Sequence, residues 1–292
     1  MALSHFEFCV PTSVEEAIAL LENSGENTFI MAGGTDLLIK RRHQIIHPKV
    51  VVSLKHAQGL NRISYTPKKG LHIGATALLA DVAKHRSIKK FYPAIAKAAN
   101  NTANVQIRNM GTVVGNLCNA SPAADNAPAL LALNAGLNIQ GPQGKRTLPL
   151  ADFFVGPGLT ALQPAEIVTA VTVPPPPKQS GAVYLHLSAR GKIDCSAANA
   201  GIFLQLKNKK IDTARLFIGA CGPTPMRMRN AEKKLIGKRL TENLANQAGE
   251  LASQESKPIS DVRADEDYRL KMVTVLVKRA SMAAYQLAIT ND

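Results

Sequence analysis

The chain has 292 residues and a formal charge of +14, with 46% hydrophobic, 19% charged and 4% aromatic residues and no tryptophan. Such a length suggests two domains at roughly 100–200 residues each and can bury a core without disulfides. The composition is globular rather than disordered, the few aromatics argue against stacking on single-stranded nucleic acid, and no apolar run approaches the ~18 residues of a membrane-spanning helix.

Residues 6–10 alternate as a short strand. Thr12 and Glu15 have the spacing of a capping box, in which a hydroxyl and a carboxylate each accept an amide of the helix start. A helix over 13–23 follows, with Val14, Ala17, Ile18 and Leu21 on one face and Gly25 at its stop. Residues 28–32 form a β-prone strand broken by Gly33 and Gly34. A helical turn over 35–42 and a buried strand over 49–54 complete a β-α-β-turn-β start. Residues 71–75 read as a strand, Thr76 as the cap of a helix through about 85, and 91–101 as a second helix. Residues 105–117 have no clean period and read as loop. A helix over 125–133 and strands over 137–140 and 166–173 come next. Pro174, Pro175, Pro176 and Pro177 cannot pair within a sheet and favour an extended link. The domain boundary is therefore placed near 174–181, giving domains 1–175 and 176–292, the first with subdomains of about 1–56 and 57–175. Beyond it come three meander strands, 183–188, 196–206 and 211–220, and then helices at about 229–237, 241–254 and 265–289.

Cys9, Cys118, Cys195 and Cys221 are far apart, with no CxxC pair, so a zinc site or a cysteine-bound cluster in this chain is not expected. Single cysteines without an export signal suit a cytoplasmic protein. The positive charge is spread along the chain, with 16 basic and 10 acidic residues before 174 and 19 and 11 from there on. No basic tail or nucleic-acid motif accompanies it. A solvated basic surface is the plainer reading, and a docking face for an acidic partner stays open.

Two glycine-bearing turns carry the chemistry. The first runs through Ile30, Met31, Ala32, Gly33, Gly34, Thr35, Asp36 and Leu37. Paired glycines reach backbone angles closed to other residues, so successive amides can point into one concavity and bind a pyrophosphate without a lysine. The Thr35 hydroxyl can add a donor. By itself the segment also reads as a plain tight turn, and it matches neither GxGxxG nor the phosphate loop. The second segment, residues 106–125, is dense in Gly, Asn, Ser and Thr, which lets a ligand approach the backbone. At its end Asp125 can accept from ribose hydroxyls, or equally cap the helix that follows.

AGGTDLL at 32–38, QIRNMGTVVGNL at 106–117 and ASPAAD at 120–125 together resemble a known family. So do the stretches at 184–198, 220–227 and 260–269. The chain is similar, over nearly its whole length, to the FAD-binding (medium) subunit of the molybdenum hydroxylases, the xanthine dehydrogenase and carbon monoxide dehydrogenase family. The resemblance implies an α+β fold: a vanillyl-alcohol-oxidase-type (PCMH-type) FAD-binding domain, then a C-terminal domain of a three-stranded antiparallel sheet and helices. It implies that residues 30–37 wrap the FAD pyrophosphate, and that Thr112, Val113, Val114, Gly115 and Asn116 form the second half of the cradle. Asp125 would hold the adenosine ribose and Val168 would pack against the flavin. His186 stands where the family often has Lys or Arg near the flavin. Val114 stands at a common glycine position. Cys195 falls where the family places a side chain by the isoalloxazine, and also reads as a small core filler.

The function so implied is that of an oxidoreductase subunit without acid, base or nucleophile of its own. Electrons would come from a large molybdopterin subunit through the two-iron two-sulfur clusters of a small subunit. They would reach FAD here and leave to NAD or another acceptor. A self-sufficient FAD-dependent reductase or oxidase of the same fold shares the GG-[ST]-x-L turn and is the same-fold alternative. A basic nucleic-acid-binding or scaffold protein without cofactor is the alternative of another class.

Overall fold

Ser13 opens the first helix. Its hydroxyl accepts from the Glu16 amide at 3.1 Å, and the Glu16 carboxylate accepts in return from the Thr12 amide at 2.8 Å. The capping hydroxyl and carboxylate thus each come one residue later than the Thr12–Glu15 pairing expected, because Ser13 is the residue held extended ahead of the helix, while the return bond still serves the Thr12 amide. In the computed structural model, which describes residues 5–188 and 195–291, β1 (Glu7–Cys9), α1 (Val14–Asn23), β2 (Thr28–Met31), α2 (Leu37–Arg42) and β3 (Val50–Ser53) form the first layer. Its sheet is parallel, in the order β1-β3-β2. The central strand β3 is buried at every position, as a parallel strand covered on both faces should be.

The next unit is an antiparallel sheet wrapped by short helices. Its strands are β4 (Ile63–Thr66), β5 (Gly70–Gly74), β6 (Gly136–Gly141) and β7 (Gly144–Pro149). A separate ribbon of β8 (Phe154–Gly156) and β9 (Leu159–Thr160) precedes the last strand, β10 (Ile167–Val173). The sheet order is β4-β5-β10-β6-β7, with β10 in the middle. Sequence patterning had not indicated β4 or β7. Both are edge strands without a fully buried position: β4 alternates over only four residues and β7 is mostly polar, so neither stands out in the sequence.

Between β5 and β6 lie α3 (Leu79–Lys84), α4 (Arg86–Phe91), α5 (Pro93–Asn101), α6 (Val105–Arg108), α7 (Val113–Cys118) and α8 (Asn126–Ala132). Three expectations are corrected here. Thr76 does not cap α3, which begins after Leu78. Most of the helix expected over 91–101 is α5; Phe91 instead ends α4, and the break at Tyr92 precedes Pro93, which has no amide to continue a helix. Residues 105–117 hold two helices rather than a loop. They are four and six residues long, under two turns, too short to show a period, and each is capped: Asn104 Oδ1 accepts from the Ile107 amide at 2.8 Å and the Thr112 hydroxyl from the Gly115 amide at 2.9 Å.

The remaining chain gives β11 (Ser180–Leu187), β12 (Ala198–Lys207) and β13 (Lys210–Gly219), the three expected strands, with the two-residue β14 (Met226–Arg227) added at the edge. The helices α9 (Arg229–Leu235), α10 (Glu242–Glu255) and α11 (Glu266–Thr290) cover one face. β12 is buried on both sides, and its side chains alternate between two cores. Ala198, Ala200, Ile202 and Leu204 join the core of α9, α10 and α11. Phe203 joins the core of the preceding sheets. On that second face a Cβ at Gly201 would lie 2.1 Å from the Pro128 carbonyl oxygen, so α8 rests directly on the strand. Arg215 seals this seam, its guanidinium 4.0 Å above the Phe203 ring and its Nε donating to the Ala132 carbonyl at 2.6 Å.

The three C-terminal stretches noted in the sequence meet at one side chain. Arg269, 2% exposed, donates to the carbonyls of Ala197 at 2.7 Å and Ala220 at 2.8 Å, and to Asp261 Oδ1 at 2.6 Å. Residues 189–194 of the first stretch lie outside the described residues. Burial raises the Asp261 carboxyl, but the Arg263 amide and the Arg269 guanidinium outweigh it and leave it lowered. Its contribution is therefore present above the ordinary carboxylate range and lost as pH falls through the lowered value. Arg269→Met should cost about 3–5 kcal/mol, since it strands buried carbonyls and removes the charge partner. It should also flatten the acid limb of the stability–pH curve. A denaturant midpoint equal to that of the parent chain at neutral pH would contradict this.

Candidate functional site

β2 delivers the first turn. Gly34 has φ +71°, in the left-handed region that glycine enters without strain. Gly33 is needed for closeness rather than for φ: a Cβ there would fall 2.1 Å from the Met110 carbonyl oxygen and 2.7 Å from Gly111 Cα. The two turns singled out in the sequence therefore touch backbone to backbone. The ladder of α2 starts with the Leu38 amide donating to the Gly34 carbonyl at 3.0 Å. Among the described residues, the amides of Gly33, Gly34, Thr35, Asp36 and Leu37 donate to no backbone acceptor. On the second turn the Thr112 hydroxyl and carbonyl take the amides of Gly115 and Asn116, and those of Val113 and Val114 precede the ladder. Val114 is helical, so the β-branched residue meets no left-handed backbone there.

These turns line a cavity of about 540 Å³. Residues 30–37, Thr112, Val114, Gly115, Asn116, Asp125 and Val168 are all on its wall. Val113 and His186 are not. Val113 is fully buried in the core. The His186 ring lies parallel to that of Tyr184, with centroids 6.2 Å apart, and its Nδ1 is 2.7 Å from Asn101 Nδ2. Leu54, Ala75, Leu79 and Leu162 supply apolar wall, and Cys195 reaches the cavity as an exposed residue.

Sequence reasoning missed a latch across the turns. Lys40 Nζ donates to Asn119 Oδ1 at 2.7 Å, and Asn119 Nδ2 donates to Asp36 Oδ1 at 3.1 Å. Asp36 and Lys40 are four apart at the start of α2, a visible signal, but Asn119 is 79 residues further on. Behind the second turn, Asn126 Nδ2 donates to Asn116 Oδ1 at 3.0 Å and to Thr102 Oγ1 at 3.1 Å, fixing the Asn116 side chain.

Asp125, 7% exposed, makes no cap bond to α8. Its Oδ1 instead accepts from the Tyr184 hydroxyl at 2.8 Å, the Ser196 hydroxyl at 2.5 Å and Asn199 Nδ2 at 3.3 Å. Burial raises the carboxyl, and the three hydrogen bonds only partly oppose it. Burial likewise pushes the Tyr184 hydroxyl well up and the Cys118 and Cys221 thiols to about 12, which keeps both protonated. Among the described residues no group of three or more His, Cys, Asp or Glu is placed to hold a metal ion.

The profile of the family described as FAD binding domain in molybdopterin dehydrogenase matches residues 4–176, and that of the CO dehydrogenase flavoprotein C-terminal domain matches residues 183–284. The chain belongs to the FAD-binding medium subunits of the xanthine dehydrogenase and carbon monoxide dehydrogenase family. It is 31% identical to the nicotine 6-hydroxylase medium subunit of Paenarthrobacter nicotinovorans, over 97% of this chain and 99% of that one. It is 30% identical to the xanthine dehydrogenase FAD-binding subunit of Escherichia coli O157:H7, over 94% of both. A chain in the structure of carbon monoxide dehydrogenase from Hydrogenophaga pseudoflava superposes with a TM-score of 0.93 at 29% identity, covering 98% of this chain and 99% of that one. The α+β architecture and the flavoprotein assignment implied by the sequence motifs are thereby established.

The residues present fit FAD. Gly33 to Leu37 and Val114, whose amides are left out of their ladders, line one cavity, a donor set suited to a pyrophosphate. The volume lies within the roughly 300–1,000 Å³ of ligand pockets, and the adjoining apolar wall suits a ring system. Gly33→Ala should drive the two turns apart at Met110, so the variant should purify folded but with markedly substoichiometric flavin by visible absorbance. Full flavin occupancy in that variant would show that the close approach is dispensable.

Proposed function

We propose that FAD occupies the cavity between the two turns, with its pyrophosphate on the amides of residues 33–37 and of the start of α7. Val168 then packs against the flavin, and Asp125 accepts from the adenosine ribose. The observation that carries this reading is the close approach of Gly33 to Met110 and Gly111, which brings residues 33–37 and Thr112, Val114, Gly115 and Asn116 to the wall of one cavity. When bound, the flavin supplies the redox chemistry. The chain's own residues bind and orient it: Thr112 and Asn126 fix the second turn, and the Lys40–Asn119–Asp36 latch holds the first turn against it.

In this reading the chain receives electrons from a small subunit bearing two-iron two-sulfur clusters, itself fed by a large molybdopterin subunit, and passes them to NAD or another acceptor. The relatives' names as medium chains of such dehydrogenases support it. So does the spacing of the four cysteines, which are free thiols. No helix among the described residues is long and apolar enough to cross a membrane, and a cytoplasmic place fits the free thiols. A division near 174–181 belongs to the same reading and is supported by the gap between the two family matches.

Two outcomes test it. Asp125→Ala should weaken FAD by about ten- to a hundred-fold, the loss of one charged hydrogen bond, and FMN much less. Equal weakening of both flavins would remove Asp125 from the ribose. The purified FAD-loaded chain should be reduced rapidly by a reduced iron–sulfur subunit but should not itself oxidise an aromatic or purine substrate. Substrate oxidation by the chain alone at enzymic rates would replace the subunit reading with a self-sufficient flavoenzyme.

A further inference from the structure

The convergence of three donors on Asp125 goes beyond the cofactor contact itself. Tyr184 on β11, Ser196 just ahead of β12 and Asn199 on β12 are each fully buried, and all three bond to the same oxygen, Oδ1. Asp125 comes from the other side of the seam, at the end of the second turn and on the cavity wall. None of the three donors lines the cavity. A carboxylate on two oxygens has about four acceptor sites. Three donors drawn to one oxygen fix the rotation of the group about its Cβ–Cγ bond while leaving the second oxygen unengaged by them.

We infer that Tyr184, Ser196 and Asn199 are positioning residues for the cofactor, through which the C-terminal domain sets the geometry of the Asp125 carboxylate toward the adenosine half of FAD. This rests on the reading of Asp125 as the ribose acceptor. Its consequence is that the C-terminal domain takes part in choosing a dinucleotide over a mononucleotide without touching it. Without the donors Asp125 can turn on its side chain, and the ribose contact loses its preorganisation. An interdomain tie alone would instead predict lost stability with no effect on flavin choice.

The test uses the full chain, stripped of flavin and titrated with FAD and with FMN by flavin fluorescence. Tyr184→Phe and Ser196→Ala each remove one donor with little change of shape, and the second serves if the first folds poorly. Asp125→Ala is the reference. In each donor variant the Kd for FAD should rise by about three- to ten-fold, with the Kd for FMN unchanged. If Asp125→Ala is selective for FAD and the donor variants are not, the positioning role is overturned while the ribose contact stands. If Asp125→Ala weakens FAD and FMN alike, the ribose contact falls and the inference falls with it.

Discussion

The close approach of Gly33 to Met110 and Gly111 is the constraint on which the site depends. A backbone carbonyl cannot yield to a methyl group placed 2.1 Å away, so only a residue without a Cβ lets the two turns meet. Each turn alone is an ordinary connection, one ending a parallel strand and the other entering a short helix. Brought together, they present amides that neither helix uses. The parallel sheet aims the first turn, and the antiparallel sheet with its short helices supplies the second. Two side-chain networks hold the arrangement, Lys40–Asn119–Asp36 across the turns and Asn126 behind Asn116. This economy explains why the site needs no phosphate-loop motif.

The C-terminal domain covers one face of its sheet with its own helices and joins the preceding sheets through the other. One face packs on α9, α10 and α11, and the other receives α8 at Gly201. A strand buried on both sides needs apolar or small residues throughout, and β12 is apolar or small apart from its polar positions Asn199 and Gln205 and its exposed end at Lys207. Asn199 is the buried exception, and it is spent on Asp125. Two arginines are paired: at the seam Arg215 meets a carbonyl and an aromatic face, and within the C-terminal half Arg269 meets two carbonyls and a carboxylate. Each is a charge that burial would penalise severely if left alone. Arg269 ties distant stretches of this half of the chain into one unit, and Arg215 ties that unit to the end of α8.

The sequence by itself determined the class of the protein and much of its frame. Long periodic segments such as α10 and α11 were legible because an amphipathic helix repeats its pattern over several turns. The glycine pair and the Gly/Asn-rich stretch were legible as candidate ligand turns because their residue types relax backbone limits that other residues obey, and both line one cavity. The short helices α6 and α7 were not, since under two turns show no period and their start is set by the caps Asn104 and Thr112. Edge strands β4 and β7 escaped for a related reason: β4 is four residues long, too short for its alternation to stand out, and β7 has no buried position and few apolar residues. Only the tertiary structure decided which residues act together. It left His186 off the cavity wall and joined Asn119 to Lys40 and Asp36. It also showed that Asp125, which the sequence left between a ribose acceptor and a helix cap, makes no cap bond and is held by three donors from another domain. Local pattern reports what a residue prefers among its neighbours in the chain, whereas these contacts span 59 to 83 residues and exist because packing brings distant backbone within hydrogen-bonding reach.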